Sequence, residues 1–154
     1  MYKKLKHYTD TLNYELEKTA RVMRILGIQL MEKLKIDLML DEYVALDIVS
    51  CHQGICQRDL AKLIIKDRAN TGRILNSLEE KGLITRFVDT KNNRLVRKMA
   101  ITEKGYKILI SINKKVESYV AETKRVVSED ELDGLYLSLK KLREKLEEMI
   151  ELKI

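Results

Sequence analysis

The sequence predicts a mainly α-helical chain carrying one small β-hairpin, and three observations predict it. Its 154 residues include no proline, a residue that costs about 3 kcal/mol inside a helix. Apolar residues recur at steps of three and four along most of the chain, the spacing that lines one face of a helix. Only between Leu83 and Ile101 does the period fall to two, around a tip of turn-forming residues.

The elements follow in order. Leu12, Leu16, Ala20, Met23, Leu26, Leu30 and Leu34 place a first helix at about Thr11 to Lys35, with Lys18, Arg21, Arg24 and Lys33 off that row. Asp41 is read as the cap of a second helix through about His52, with Tyr43, Val44, Leu46, Ile48 and Val49 as its apolar set. Gly54 stops it, and Ile55 starts a strand of one or two residues. A short third helix covers about Gln57 to Ile64, turning Leu60, Ala61 and Ile64 inward. The fourth starts near Asp67, an N-cap, and ends at Gly82, a left-handed terminator. Its apolar stripe is Ile74, Leu75 and Leu78, and its outward face Arg68, Asn70, Thr71, Arg73 and Asn76.

The hairpin comes next. Ile84, Arg86 and Val88 alternate with Thr85, Phe87 and Asp89, a second run spans about Val96 to Ile101, and Thr90-Lys91-Asn92-Asn93 form a flexible tip. Thr102 caps a fifth helix carrying Tyr106, Leu109, Ile110, Ile112, Val116, Tyr119 and Val120. Ser128 with Glu131 makes a capping-box start for a sixth. There Leu135, Leu139, Leu142, Leu146 and Met149 alternate steps of four and three toward Lys153, a helix–helix seam. With no repeat or low-complexity linker, residues 1–154 read as one domain. Helical arms at about 1–38 and 105–154 flank a central part at about 40–103. Long helices expose much surface per residue, and two copies would bury what one cannot.

Charge narrows the function. Gln57 to Lys98 holds eleven Lys/Arg against five Asp/Glu, a surplus equal to the +6 of the whole chain. Positive charge confined to one module suits a reader of polyanions, since phosphate contacts act through local counterion release. Evenly spread lysines would serve only solubility. The start, Met1-Tyr2-Lys3-Lys4-Leu5-Lys6, is followed by no apolar run. No segment approaches the ~18 to 20 apolar residues of a membrane span, so a cytoplasmic protein is expected. No glycine-rich phosphate loop, metallohydrolase His-Glu pair or Ser/His/Asp context is present, and the chain is read as no enzyme.

The text from Gln57 to Gly105, "QRDLAKLIIKDRANTGRILNSLEEKGLITRFVDTKNNRLVRKMAITEKG", resembles the MarR family of bacterial transcription regulators. The order is the specific part: a "QRDLA" helix, a second helix, "LEEKGLI", an Asp-to-Arg wing and "TEKG". Flanking helix lengths agree as well. The resemblance implies a winged helix-turn-helix part with N- and C-terminal dimerisation helices. It implies a homodimer on double-stranded DNA at an inverted repeat, repression as the default, and release by a small aromatic or phenolic effector. Under it, Gln57 and Arg58 contact phosphate, and Arg68, Ala69, Asn70, Thr71 and Arg73 lie where bases and backbone are read. Arg94 takes the wing-tip position, with Asp89 bracing it. Three departures carry expectations. Gly72 stands mid-helix where the family often has Thr, at about 1 kcal/mol relative to Ala, either for close approach to DNA or by drift. Ile65 replaces a turn glycine, so a longer or blunter corner is expected. Arg94 precedes Thr102 by eight residues rather than seven, which implies a bulge in the second wing strand, with Arg97 sharing or taking the minor-groove role.

Other residues have competing readings. Cys51, His52 and Cys56 resemble a fragment of a metal site, but zinc needs four ligands, or three with an open position. Only His7 and scattered acids remain, so neither metal nor cofactor is expected. Inert packing, with Cys51 in the core at a helix end, is favoured over a redox switch. Tyr14, Met23, Met39, Tyr43, Tyr106 and Tyr119 line an effector cavity or are plain core, the commoner fate of such stripes. Lys62 and Lys81 read as surface lysines, and Lys91 as at best a phosphate contact. The rival function is a helical dimeric protein whose basic face docks an acidic protein partner.

Overall fold

The structure, a computed structural model, describes residues 7–151. The basic start and Lys153 lie outside them. The chain divides into two compact units, residues 1–40 and 41–154. Among the described residues no helix is long and apolar enough to cross a membrane.

The first unit is a 3₁₀ turn (Tyr8–Asp10) leading into α1 (Leu12–Lys33). Thr11 caps α1 by accepting the Tyr14 backbone N–H at 3.2 Å. The helix ends two residues before the expected Lys35, which itself turns left-handed (φ 52°) while Ile36 N–H bonds back to the Met31 carbonyl. Leu12, Met23 and Leu26 of the predicted row are exposed, as are Val22, Ile25 and Ile28.

In the second unit, α2 (Leu40–Cys51) starts two residues earlier than expected. Asp41 therefore lies in the first turn instead of capping it, where its charge suits the helix dipole and pairs with Lys66 at 3.1 Å. Ala45, Leu46 and Val49 are buried. So is Glu42, whose carboxylate accepts the Ser77 hydroxyl and the Lys81 ammonium, the latter at 2.9 Å. Lys81 is thus a clasp, not a plain surface lysine.

After the short strand β1 (Ile55–Cys56), α3 (Gln57–Ile64) and α4 (Arg68–Glu80) form the helix-turn-helix. The corner between them stays short. Ile65 itself adopts the left-handed geometry (φ 50°, ψ 55°), and Lys66 N–H bonds back to Ala61 at 3.1 Å. A missing glycine has left the turn intact and put a β-branched residue where backbone sterics disfavour it. At the far end Gly82 (φ 70°) closes α4: its N–H reaches Glu79 and that of Leu83 reaches Leu78, a Schellman turn.

The strands β2 (Ile84–Lys91) and β3 (Arg94–Ile101) pair antiparallel without interruption, from Ile84 opposite Ile101 to Lys91 opposite Arg94. β1 adds to the other edge of β3, giving the order β1-β3-β2. The expected bulge is not there. Asn92 and Asn93 (φ 53° and 60°) form a two-residue turn with both φ values positive, the tight hairpin geometry Asn tolerates. The second strand thus begins at Arg94, and the additional residue lengthens the ladder.

Leu46, Leu60, Leu75, Leu78, Leu83, Ile84 and Met99 make the core, each at most 1% exposed. Thr102 caps α5 (Glu103–Thr123) by accepting the Gly105 N–H at 3.0 Å. A Cβ at Gly105 would meet the Leu83 carbonyl oxygen at 2.3 Å, so the last residue of "TEKG" must be glycine. Ser128 and Glu131 form the expected reciprocal cap of α6 (Glu129–Met149), which has no buried residue.

Candidate nucleic-acid interface

Helix α4 presents its outer face from a firmly held start. Asp67 Oδ1 accepts the Asn70 backbone N–H at 2.8 Å, and Oδ2 accepts the Asn70 side-chain amide at 2.5 Å. The bond from the Asn70 backbone, then that from its side chain, hold the Asp67 carboxyl below the usual carboxylate range. Arg68, Ala69, Asn70, Arg73 and Asn76 are exposed, and Gln57 at the head of α3 is half-buried. Thr71 corrects the expectation that it faces outward to DNA. It is fully buried, and its hydroxyl donates to the Asp67 carbonyl at 2.8 Å. It belongs to the same inner row as Leu75 and Leu78, four and seven residues on. At Gly72 a Cβ would find Gln57 Nε2 at 3.6 Å, an ordinary contact, so packing within the protein does not demand glycine there.

The wing is clasped to this pair of helices. Arg86 Nη2 donates to Asn76 Oδ1 (2.6 Å) and Glu79 Oε1 (2.9 Å) on α4. Lys91 Nζ, beside the hairpin turn, donates to Asp59 Oδ2 in the first turn of α3 at 2.5 Å. Lys91 is therefore bound within the protein rather than free for phosphate. Arg86 lowers the Glu79 pKa, and Lys91, followed by the Cys56 thiol, lowers that of Asp59. Asp59 in turn raises the pKa of Lys91.

Asp89 does not brace Arg94. It accepts Lys98 Nζ at 2.8 Å and the Thr90 N–H at 2.7 Å, and the Lys98 bond is the chief cause of its lowered pKa. Asp89 lies opposite Val96, so Arg94 and Lys98 are its two diagonal neighbours. A twisted ribbon shortens one diagonal and lengthens the other. The register also puts Arg94 and Arg97 on opposite faces of β3, three residues apart in a structure of period two.

These clasps sort the positive charge. Lys66, Lys81, Arg86, Lys91 and Lys98 are committed to internal carboxylates. Among the described residues, Arg58, Arg68, Arg73, Arg94 and Arg97 make no ion pair, and all five are exposed. Guanidinium groups held out on a capped helix and a braced hairpin are suited to planar, bidentate contact with phosphates and guanine edges.

The candidate effector-pocket residues divide between the two units. Met23 and Met39 in the first unit and Tyr106 in the second are exposed, while Tyr14, Tyr43 and Tyr119 are half-buried. Tyr14 meets Tyr8 edge-on with centroids 6.0 Å apart. The Tyr43 hydroxyl donates to Asn113 at 2.9 Å, and burial, then Asp47, raises its pKa. Within the second unit an open concavity of ≈ 520 Å³ is lined by His52, Ile55, Asp59, Lys62 and Leu63 among others. Cys51, expected in the core, is exposed at the end of α2, whereas Cys56 is buried at the N-cap of α3. Among the described residues no cluster of three or more His, Cys, Asp or Glu is placed to hold a metal ion.

Residues 38–96 match the model of the MarR family. The HTH-type transcriptional regulator YybA of Bacillus subtilis (strain 168) is 27% identical over 112 residues, covering 73% of this chain and 74% of that protein. The solved structure of the transcriptional regulator SlyA superposes with a TM-score of 0.74 at 27% identity, over 89% of this chain and 94% of that one. Two more distant structures share the fold. A MepR–DNA complex from S. aureus has a TM-score of 0.74 at 22% identity, over 91% and 99% of the two chains. A MarR family regulator from Rhodococcus sp. RHA1 has 0.77 at 18%, over 90% and 96%.

Proposed function

We propose that this chain, whose residues 38–96 match the MarR family model, is a cytoplasmic transcription regulator of that family acting on double-stranded DNA. The observation that carries the reading is the set of exposed, unpaired arginines on α3, α4 and β3: Arg58, Arg68, Arg73, Arg94 and Arg97. Helix α4 enters the major groove, where the four base pairs differ in their donors and acceptors. The wing carries Arg94 to the adjacent minor groove. Two copies joined through their terminal helices bind an inverted repeat whose half-sites lie about one turn, ~34 Å, apart. Occupying that site blocks polymerase. A small aromatic or phenolic effector relieves the block by binding better to a conformation with the two α4 helices wrongly spaced. The crystallised MepR–DNA complex supports the reading as a protein of the same fold on DNA.

The test is affinity for selected inverted-repeat and random duplexes against salt. Affinity falls linearly in log–log form, and Arg94→Ala weakens every duplex while reducing the slope by about one unit per subunit. A flat salt dependence with no preference for any repeat sinks the proposal, and favours docking of an acidic protein on the basic face.

A further inference from the structure

The carboxylate at the head of α4 does two separable things. One oxygen caps the helix through the Asn70 backbone N–H, and the other grips the Asn70 side chain. A carboxylate only accepts hydrogen bonds, so the group facing it must be the amide NH₂. An asparagine on a protein surface is ordinarily free to turn its amide over. Here the oxygen end is forced away from Asp67, and Asn70 is exposed on the face that the proposed function turns to DNA. With one N–H spent on Asp67, the amide keeps one N–H and its carbonyl oxygen.

We propose that Asp67 is a positioning residue for base reading: by locking the Asn70 amide it makes α4 favour adenine over guanine at one base pair of each half-site. This rests on the DNA-binding function above. In the major groove adenine shows an acceptor beside a donor, N7 and the N6 amino group, which the remaining N–H and oxygen complement. Guanine shows two acceptors, N7 and O6, and a locked amide sets its own oxygen against one of them. An unlocked amide can turn its NH₂ toward guanine and lose the distinction.

The backbone at this corner is held independently of the carboxylate. The Asp67 carbonyl accepts both the N–H and the hydroxyl of Thr71, at 3.0 and 2.8 Å. Side-chain replacements at Asp67 can therefore separate capping from locking. Asp67→Ser keeps a hydroxyl to accept the Asn70 N–H and removes the second oxygen. Asp67→Asn keeps the capping oxygen but turns an NH₂ toward Asn70, which reverses the orientation of its amide.

The experiment is selection from a random duplex library by the full-length wild type, Asp67→Ser, Asp67→Asn, Asn70→Ala and Asp67→Ser/Asn70→Ala, each also melted thermally. Asp67→Ser and Asn70→Ala are expected to reduce the adenine-over-guanine ratio at the same position by about tenfold, the scale of one bidentate contact. The double variant falls no further, and Asp67→Asn shifts the preference toward guanine. An unchanged ratio in Asp67→Ser and Asp67→Asn, with affinity raised uniformly by loss of a negative charge, overturns the assignment while leaving DNA binding standing. A wild type that selects no sequence overturns both.

Discussion

At Ile65 an exposed β-branched side chain occupies left-handed backbone geometry, which costs an L-residue about 1 to 2 kcal/mol. Glycine takes this conformation freely but loses more entropy on folding, which offsets about half of the gain. Ile65→Gly is therefore expected to stabilise the protein by about 0.5 to 1 kcal/mol, read as a higher denaturant midpoint at unchanged slope. A lower midpoint would falsify the account of the corner. Gly105 shows the opposite case, since a side chain there would run into the Leu83 carbonyl. The sequence shows which residue stands at each of these two positions, but only the backbone says which of them is strained.

Among the elements, the wing is the one that electrostatics holds in place. The Asp59, Glu79 and Asp89 carboxyls all have lowered pKa values, through Lys91, Arg86 and Lys98 respectively. A carboxyl with a lower pKa folded than unfolded stabilises fully above its unfolded pKa, near 4. That stabilisation is lost as pH falls through the lowered folded value. Stability is accordingly expected to decline on acidification below about pH 4, and less steeply in Asp59→Asn/Asp89→Asn. Denaturant titrations between neutral and acid pH check this, and equal slopes in the two proteins would remove the clasps from the account.

The same elements mark how far the sequence could be read. Helix order, the caps at Asp67, Thr102 and Ser128, and the Gly82 terminator are legible, because each depends on residues within one turn of another. So are the exposed arginines, since alternation and helical period decide which way a side chain points. Thr71 is equally legible from the spacing to Leu75 and Leu78, but its polarity argues for an outward place. The Arg86, Lys91 and Glu42 clasps are not legible. Each joins residues 7 to 39 positions apart, and nothing local in the chain marks the partner. The straight wing is illegible for a different reason: Thr90 and Lys91 read as turn residues, but the two-residue Asn92-Asn93 turn lets them pair with Leu95 and Arg94.

For the whole molecule, α6 is the element whose burial is unfinished. It has no buried residue, and Leu135, Leu139, Leu146 and Met149 of the predicted seam are exposed, with Leu142 half-buried. A second copy packed along this seam is the proposed remedy, in keeping with an inverted-repeat site. Leu139→Asp buries an unpaired charge in such a seam, and is expected to yield monomers by sedimentation with weaker binding to the repeat. A dimer that survives Leu139→Asp and Leu146→Asp together places the seam elsewhere.

The buried Glu42 carboxylate sets how such a molecule could be switched. It holds Ser77 of α4 and Lys81 at the C-cap of that helix, one turn apart. A rod pinned in this way cannot roll about its own axis without stranding a charge in the interior. Under the proposed function it therefore moves together with α2, and a displacement applied to α2 reaches the face of α4 offered to DNA.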